Sequence, residues 1–181
     1  MNLIKNFIIS VFYIFFLCLI QISILNPLFL FLRCYSYIYV LFILVYPYNK
    51  NKFVFLFLSF LIGWLIDHCM NTGGFHAFSS TLSAFLRLKF LHFFDGKNFI
   101  NRNDFSIYEL PLIRKILYIF SLVFIHHFSL LILEMLKGTI FNRIVLFRTI
   151  LSSIFTTILC ITYFFFRKIK HCKNYIIFTL C

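Results

Sequence analysis

Long apolar runs, each broken by a short stretch of charged or turn-forming residues, recur along this chain from about residue 7 to residue 166. That recurrence restricts the fold more than any motif does. A run of roughly 17–25 apolar residues crosses a hydrocarbon layer of about 30 Å as a helix that satisfies its own backbone. The runs do not alternate polar with apolar residues, which sets aside a membrane β-barrel. At 62% hydrophobic and 12% charged residues, an ordinary soluble domain is excluded too, because charge there is roughly a quarter of the chain. The sequence therefore implies an all-α polytopic membrane protein, with residues 1–181 forming a single integral membrane domain.

The expected architecture is a six-transmembrane-helix bundle, with spans at about 7–25, 34–47, 53–70, 75–94, 115–136 and 144–166. Lys5 and the apolar run after it lack a small-residue cleavage site, so that run reads as a retained first helix. Asn26-Pro27 ends it, since proline disfavours helical geometry in the residue before it. Arg33 interrupts the next run, and Tyr35, Tyr37, Tyr46 and Tyr48 read as interfacial anchors at its ends. On the third span, Gly63, Trp64, Asp67 and Met70 share a face by helical spacing. The fourth carries a small and polar stripe of His76, Ser80, Ser83 and Arg87, suited to packing against other helices rather than lipid. Residues 95–114 form the one sizeable polar loop, and residues 167–181 a basic tail.

The formal charge of +12 invites a nucleic-acid reading, but the basic residues are dispersed over loop ends, so no nucleic-acid partner is expected. Retention of basic loops in the cytoplasm accounts for them instead. Counting them puts both termini inside, with the loop and the tail. Lys50, Lys52, Arg87, Lys89, Arg114, Lys115, Arg167 and Lys168 are the topology anchors.

In a chain with only five acidic residues, Asp67 asks for a reason, because a carboxylate against hydrocarbon is expensive. Gly63 precedes it, and a hinge of Asn71, Thr72, Gly73 and Gly74 leads on to His76. The predicted topology sets this hinge on the outer side, near the outer ends bearing Glu134 and Arg148. Asp67, His76, His127, Glu134 and Arg148 thus form a candidate structural polar cluster. Two alternatives stand open for Asp67: an ion pair with Arg148, or capping of donors in the 71–74 turn. His126 and His127 point about 100 degrees apart on a helix and belong to no recognisable ligand set. No metal and no cofactor are expected, and no phosphate loop or catalytic triad is present.

Taken in order, these features resemble the bacterial rod shape-determining protein MreD family, in its Bacteroidota-like form. The resemblance rests on Gly63 and Asp67, then Asn71, Thr72, Gly74, His76 and Ala77, then Ala84-Phe85-Leu86-Arg87 entering the cytoplasmic loop. It continues in His126-His127 with Glu134, and in Arg148, Leu151 and Ser152. It implies a non-enzymatic scaffold of the elongation machinery in the bacterial inner membrane. Its partners would be an MreC-like protein and, through it, an MreB-like cytoskeleton and the peptidoglycan polymerase and transpeptidase. It also implies a bundle similar to the substrate-binding subunits of energy-coupling-factor transporters. The alternative reading is a membrane-embedded small-molecule binding subunit of a transporter.

Overall fold

Breaks in the apolar runs become helix ends in the structure, and three of those ends carry a recognisable local device. The computed structural model describes residues 2–27, 35–47, 51–95, 110–138 and 142–179, with side-chain surroundings for those between 8 and 167. Among these, α1 (Asn2–Ile20) runs directly into a π-helical turn (Gln21–Leu25). There follow α2 (Val40–Val45), α3 (Lys52–Met70), α4 (Phe75–Asp95), α5 (Leu112–Leu136) and α6 (Arg143–Thr179). Helix α3 starts where the Asn51 side chain accepts a hydrogen bond from the Phe53 amide at 3.0 Å. It stops at Asn71, whose φ of 53° is the left-handed conformation asparagine tolerates at a helix end. Pro111 stands immediately before α5, where its missing N–H breaks no helical bond.

Helices α3, α4, α5 and α6 pack as successive neighbours, and α1 lies against α3. The short α2 sits among them, touching α1, α4 and α5. Val40, Leu41, Phe42, Ile43 and Leu44 are all buried, against a core that includes Leu58, Ile62 and Ile66 of α3 and Tyr118, Ile119, Leu122 and Val123 of α5. Lipid tails are as apolar as these side chains. Close packing and hydrogen bonding, rather than transfer out of water, must therefore hold α2 in place.

The six-span bundle expected from the sequence is corrected by this arrangement. Among the described residues, four helices are long and apolar enough to cross a membrane: α1 with its π turn, α3, α5, and α6 as far as Arg167. The segment expected to cross at 34–47 contains only the six-residue α2, preceded by irregular backbone at Tyr35–Tyr39. The expected span at 75–94 is helical, but His76, Ser79, Ser80, Ser83 and Arg87 make α4 too polar to qualify. With the six spans goes the expected likeness to the energy-coupling-factor subunits. The chain is nonetheless an all-α, multi-span membrane protein. Helix α6 continues to Thr179, through the stretch read as a basic tail. Most of the polar loop, residues 96–109, lies outside the described residues.

Candidate functional site: a buried polar joint

The site begins with Asp67 at the end of α3. Its backbone carbonyl accepts from the Asn71 amide and, at 3.3 Å, from the Thr72 amide, which closes the helix. Gly73 and Gly74 follow with φ of 73° and 98°, values that turn the chain back and that a side chain would oppose. The Asp67 carboxylate then reaches across this turn. Oδ1 accepts from the Thr72 hydroxyl and from the His76 amide at 3.0 Å, and Oδ2 accepts from the Ala77 amide at 2.8 Å. Two of the first amides of α4, which have no partner within their own helix, are thereby satisfied. The negative charge also lies at the positive end of the α4 dipole. Of the two alternatives left open by the sequence, this is the local one.

Gly63, one turn earlier, lets the two helices touch. A Cβ at this position would collide with the His76 carbonyl oxygen, Ser80 Oγ and Ala77 Cα. The Ser80 hydroxyl donates to the Ser59 carbonyl of α3 at 2.6 Å, a cross-link that the close approach permits. Trp64 does not share this inward face: it is half exposed, while Gly63 and Asp67 are buried.

Beyond His76 the polar residues continue into the bundle. The Tyr39 hydroxyl lies 2.7 Å from His76 Nδ1 and 2.7 Å from His126 Nε2. One hydroxyl carries one proton, so it donates to one ring and accepts from the other. The Tyr37 ring fills the space between the imidazoles, its centroid 5.0 Å from that of His76, 5.1 Å from His127 and 6.0 Å from His126. His127 Nε2 is 3.0 Å from Thr156 Oγ1 on α6.

Irregular backbone inside a membrane bundle needs side-chain partners, because there is no water to satisfy it. The Tyr35–Tyr39 segment has them. Ser152 Oγ accepts from the Tyr35 amide at 3.1 Å, and Thr156 Oγ1 from the Tyr37 amide at 3.3 Å. Gln21 Oε1 accepts from the Ile38 amide at 2.9 Å, while its Nε2 donates to the Ser36 carbonyl at 2.9 Å. Gln21 opens the π-helical turn, the type of local distortion often found where a helix presents a functional side chain. At the other end of α2, Arg87 donates to the Tyr46 carbonyl and stacks over Phe55 at 4.8 Å.

The cluster expected from the sequence thus divides into two. Asp67 and His76 meet at the α3–α4 joint. Arg148 lies over the Tyr35 ring at 5.1 Å and is an electrostatic neighbour of the half-buried Glu134. His127 stands between the two groups, across Tyr37. The Asp67–Arg148 pair is replaced by the local cap because the amides of α4 reach the carboxylate first.

Two of the topology anchors are buried. Arg87 and Lys115 are buried at 2% and 7% exposure, whereas Lys52, Lys89, Arg114 and Arg167 are exposed. Lys50 lies outside the described residues, and of Lys168 only the backbone is described. Sequence reasoning missed Gln21, Tyr39 and Thr156 as site residues and left His126 outside the cluster. Gln21 had a signal, as the amide side chain in the middle of the first apolar run.

Among the described residues, no group of three or more His, Cys, Asp or Glu side chains is placed to hold a metal ion. Comparison with family models, curated proteins and solved structures yields no match to this chain. The geometry by itself defines a membrane-embedded helical bundle whose polar side chains join its segments to one another.

Proposed function

We propose that the chain is a non-enzymatic membrane scaffold of the bacterial elongation machinery, supporting cell shape and lateral peptidoglycan synthesis with an MreC-like partner. It would sit in the inner membrane with both termini in the cytoplasm, the exposed Arg167 and the basic residues after it marking that side. The family resemblance supplies the biological setting. The observation that carries the structural half of the reading is the use of Asp67: all three of its donors belong to the turn and the start of α4, so the acid serves as a joint.

The test is crosslinked affinity purification from the native membrane. The reading expects an MreC-like protein and wall-synthesis enzymes to be recovered with the chain. Asp67→Ala should lose them while still inserting in the membrane. Recovery of no such partner, or an undiminished complex with Asp67→Ala, would remove the proposal.

One feature favours the second reading, a small-molecule binding subunit of a transporter. Transporters commonly build substrate sites at discontinuous helices near the middle of the membrane, and the Tyr35–Val45 segment is discontinuous. A small polar ligand that raises the unfolding temperature of the purified chain, and loses that effect with Tyr37→Ala, would bring this reading ahead.

A further inference from the structure

We propose that Ser79 Oγ of α4 and His126 Nδ1 of α5 hold one buried water molecule, which joins the two helices and sets the proton positions around Tyr39. The inference is independent of the scaffold reading, because it concerns one contact inside the bundle and no partner protein. It starts from two orphaned atoms. Ser79 and His126 are both 0% exposed, and among the described residues neither Ser79 Oγ nor His126 Nδ1 makes a hydrogen bond. Buried polar atoms are almost always paired, with protein or with ordered water. Here the two orphans lie on neighbouring helices, and the Ser79 backbone is close enough to act on the His126 ring. That proximity points to one shared partner between them.

The other hydroxyl residues of α4 show what sets Ser79 apart. Ser80 and Thr81 donate to the Ala77 carbonyl at 3.1 and 2.7 Å, and Ser83 donates to the Ser79 carbonyl at 2.8 Å. Each is satisfied within its own helix, whereas the Ser79 hydroxyl is not. Nor is the Ser79 carbonyl a ready acceptor for His126. It receives the Ser83 hydroxyl as well as the amide one turn on in the helix, which occupies both of its lone pairs. The imidazole nitrogen and the hydroxyl therefore need a third group.

The chemistry of the two atoms selects that group. It must accept from a hydroxyl and donate to an imidazole nitrogen, and water does both. Full enclosure opposes an ion of either sign. Among the described residues, no group of three or more His, Cys, Asp or Glu side chains is placed to hold a metal ion.

The same bonds fix the protons. Ser79 donates its proton to the water oxygen, and the water donates to His126 Nδ1. His126 Nε2–H then donates to the Tyr39 oxygen at 2.7 Å, and the Tyr39 hydroxyl donates to His76 Nδ1 at 2.7 Å. Every group in this chain is neutral. In the reverse order the water would donate to Ser79 Oγ, and the Ser79 proton would find no acceptor among the described residues. The water thus decides which imidazole receives the Tyr39 proton.

The test is NMR of the full chain in lipid nanodiscs with 15N-labelled histidines, in which magnetisation is passed from water hydrogens to the rings. The His126 ring is identified by correlation to its own backbone amide. At about pH 7.5, above the ordinary histidine range, the expected result is His126 protonated on Nε2 and in contact with water, and His76 protonated on Nε2 as well. Ser79→Ala should abolish the transfer from water to His126, with the His127 signals kept in place as the sign of an intact bundle. If that variant does not fold, the tautomers and the water transfer in the unsubstituted chain decide the matter. A His126 ring without transfer from water, transfer that survives Ser79→Ala, or His126 protonated on Nδ1 would each overturn the site.

Discussion

Helices α1 and α4 are opposites in composition and in place. Only 28% of the apolar window of α1 and its π turn is buried, and Ile8, Ile9, Phe12, Phe15, Phe16 and Leu19 point outward. Helix α4 is too polar to count as a membrane-crossing helix, yet it lies between α3 and α5 and buries His76, Ser79, Ser80, Ser83 and Arg87. The contrast reverses the pattern of a water-soluble protein. Against lipid, an apolar face needs no protein partner, whereas a polar one must find hydrogen bonds inside the bundle. Polarity here marks the contacts that organise the fold.

This contrast is open to direct attack by substitution, read as unfolding free energy or thermal stability in detergent or nanodiscs. The largest loss is expected at Asp67. Asp67→Ala strips the acceptor from two amides and one hydroxyl and should destabilise by about 4 kcal/mol, while Asp67→Asn keeps part of the cap and should lose about half of that. Next comes Gly63→Val, which forces side-chain atoms into the backbone of α4. It should destabilise by about 3 kcal/mol, with weakened α3–α4 crosslinking between engineered cysteines as a second readout. Gln21→Leu leaves the Ile38 amide and Ser36 carbonyl without their partner and should destabilise by about 2 kcal/mol. Phe16→Ala, on the outward face of α1, removes a larger side chain than any of these yet should fall within about 0.5 kcal/mol of the parent. A larger loss at Phe16 than at Gln21 would undo the comparison.

What was legible in the sequence follows from the same physics. Runs long enough to cross a membrane identify α1, α3, α5 and α6, because length and apolarity are properties of the run itself. Asp67 and the stripe on α4 were legible because each is expensive in hydrocarbon without a partner, and the glycine hinge because a glycine pair permits a turn between two runs. The crossing at 34–47 failed for a different reason. An apolar segment buried among other helices has the same composition as one facing lipid, and Val40–Val45 is such a segment. Its irregular start depends on Gln21, Ser152 and Thr156, distant in sequence, so no local pattern announces it. Tyr37 illustrates the point: a tyrosine near a run end suggests an interfacial anchor, whereas here it packs against three imidazoles. Arg87 reads both as part of the packing stripe and as a basic anchor, and its burial follows the first of these.

The central claim is that distant polar side chains lock the irregular Tyr35–Tyr39 segment into the middle of the bundle. Hydrogen–deuterium exchange of the intact chain in nanodiscs tests it directly, by comparing the amides of 35–39 with that of Gly73 in the turn and with those of α5. The expected result is protection of the Tyr37 and Ile38 amides close to that of α5, with Gln21→Leu releasing Ile38. Exchange at Tyr37 and Ile38 as fast as at the exposed Gly73 would contradict it.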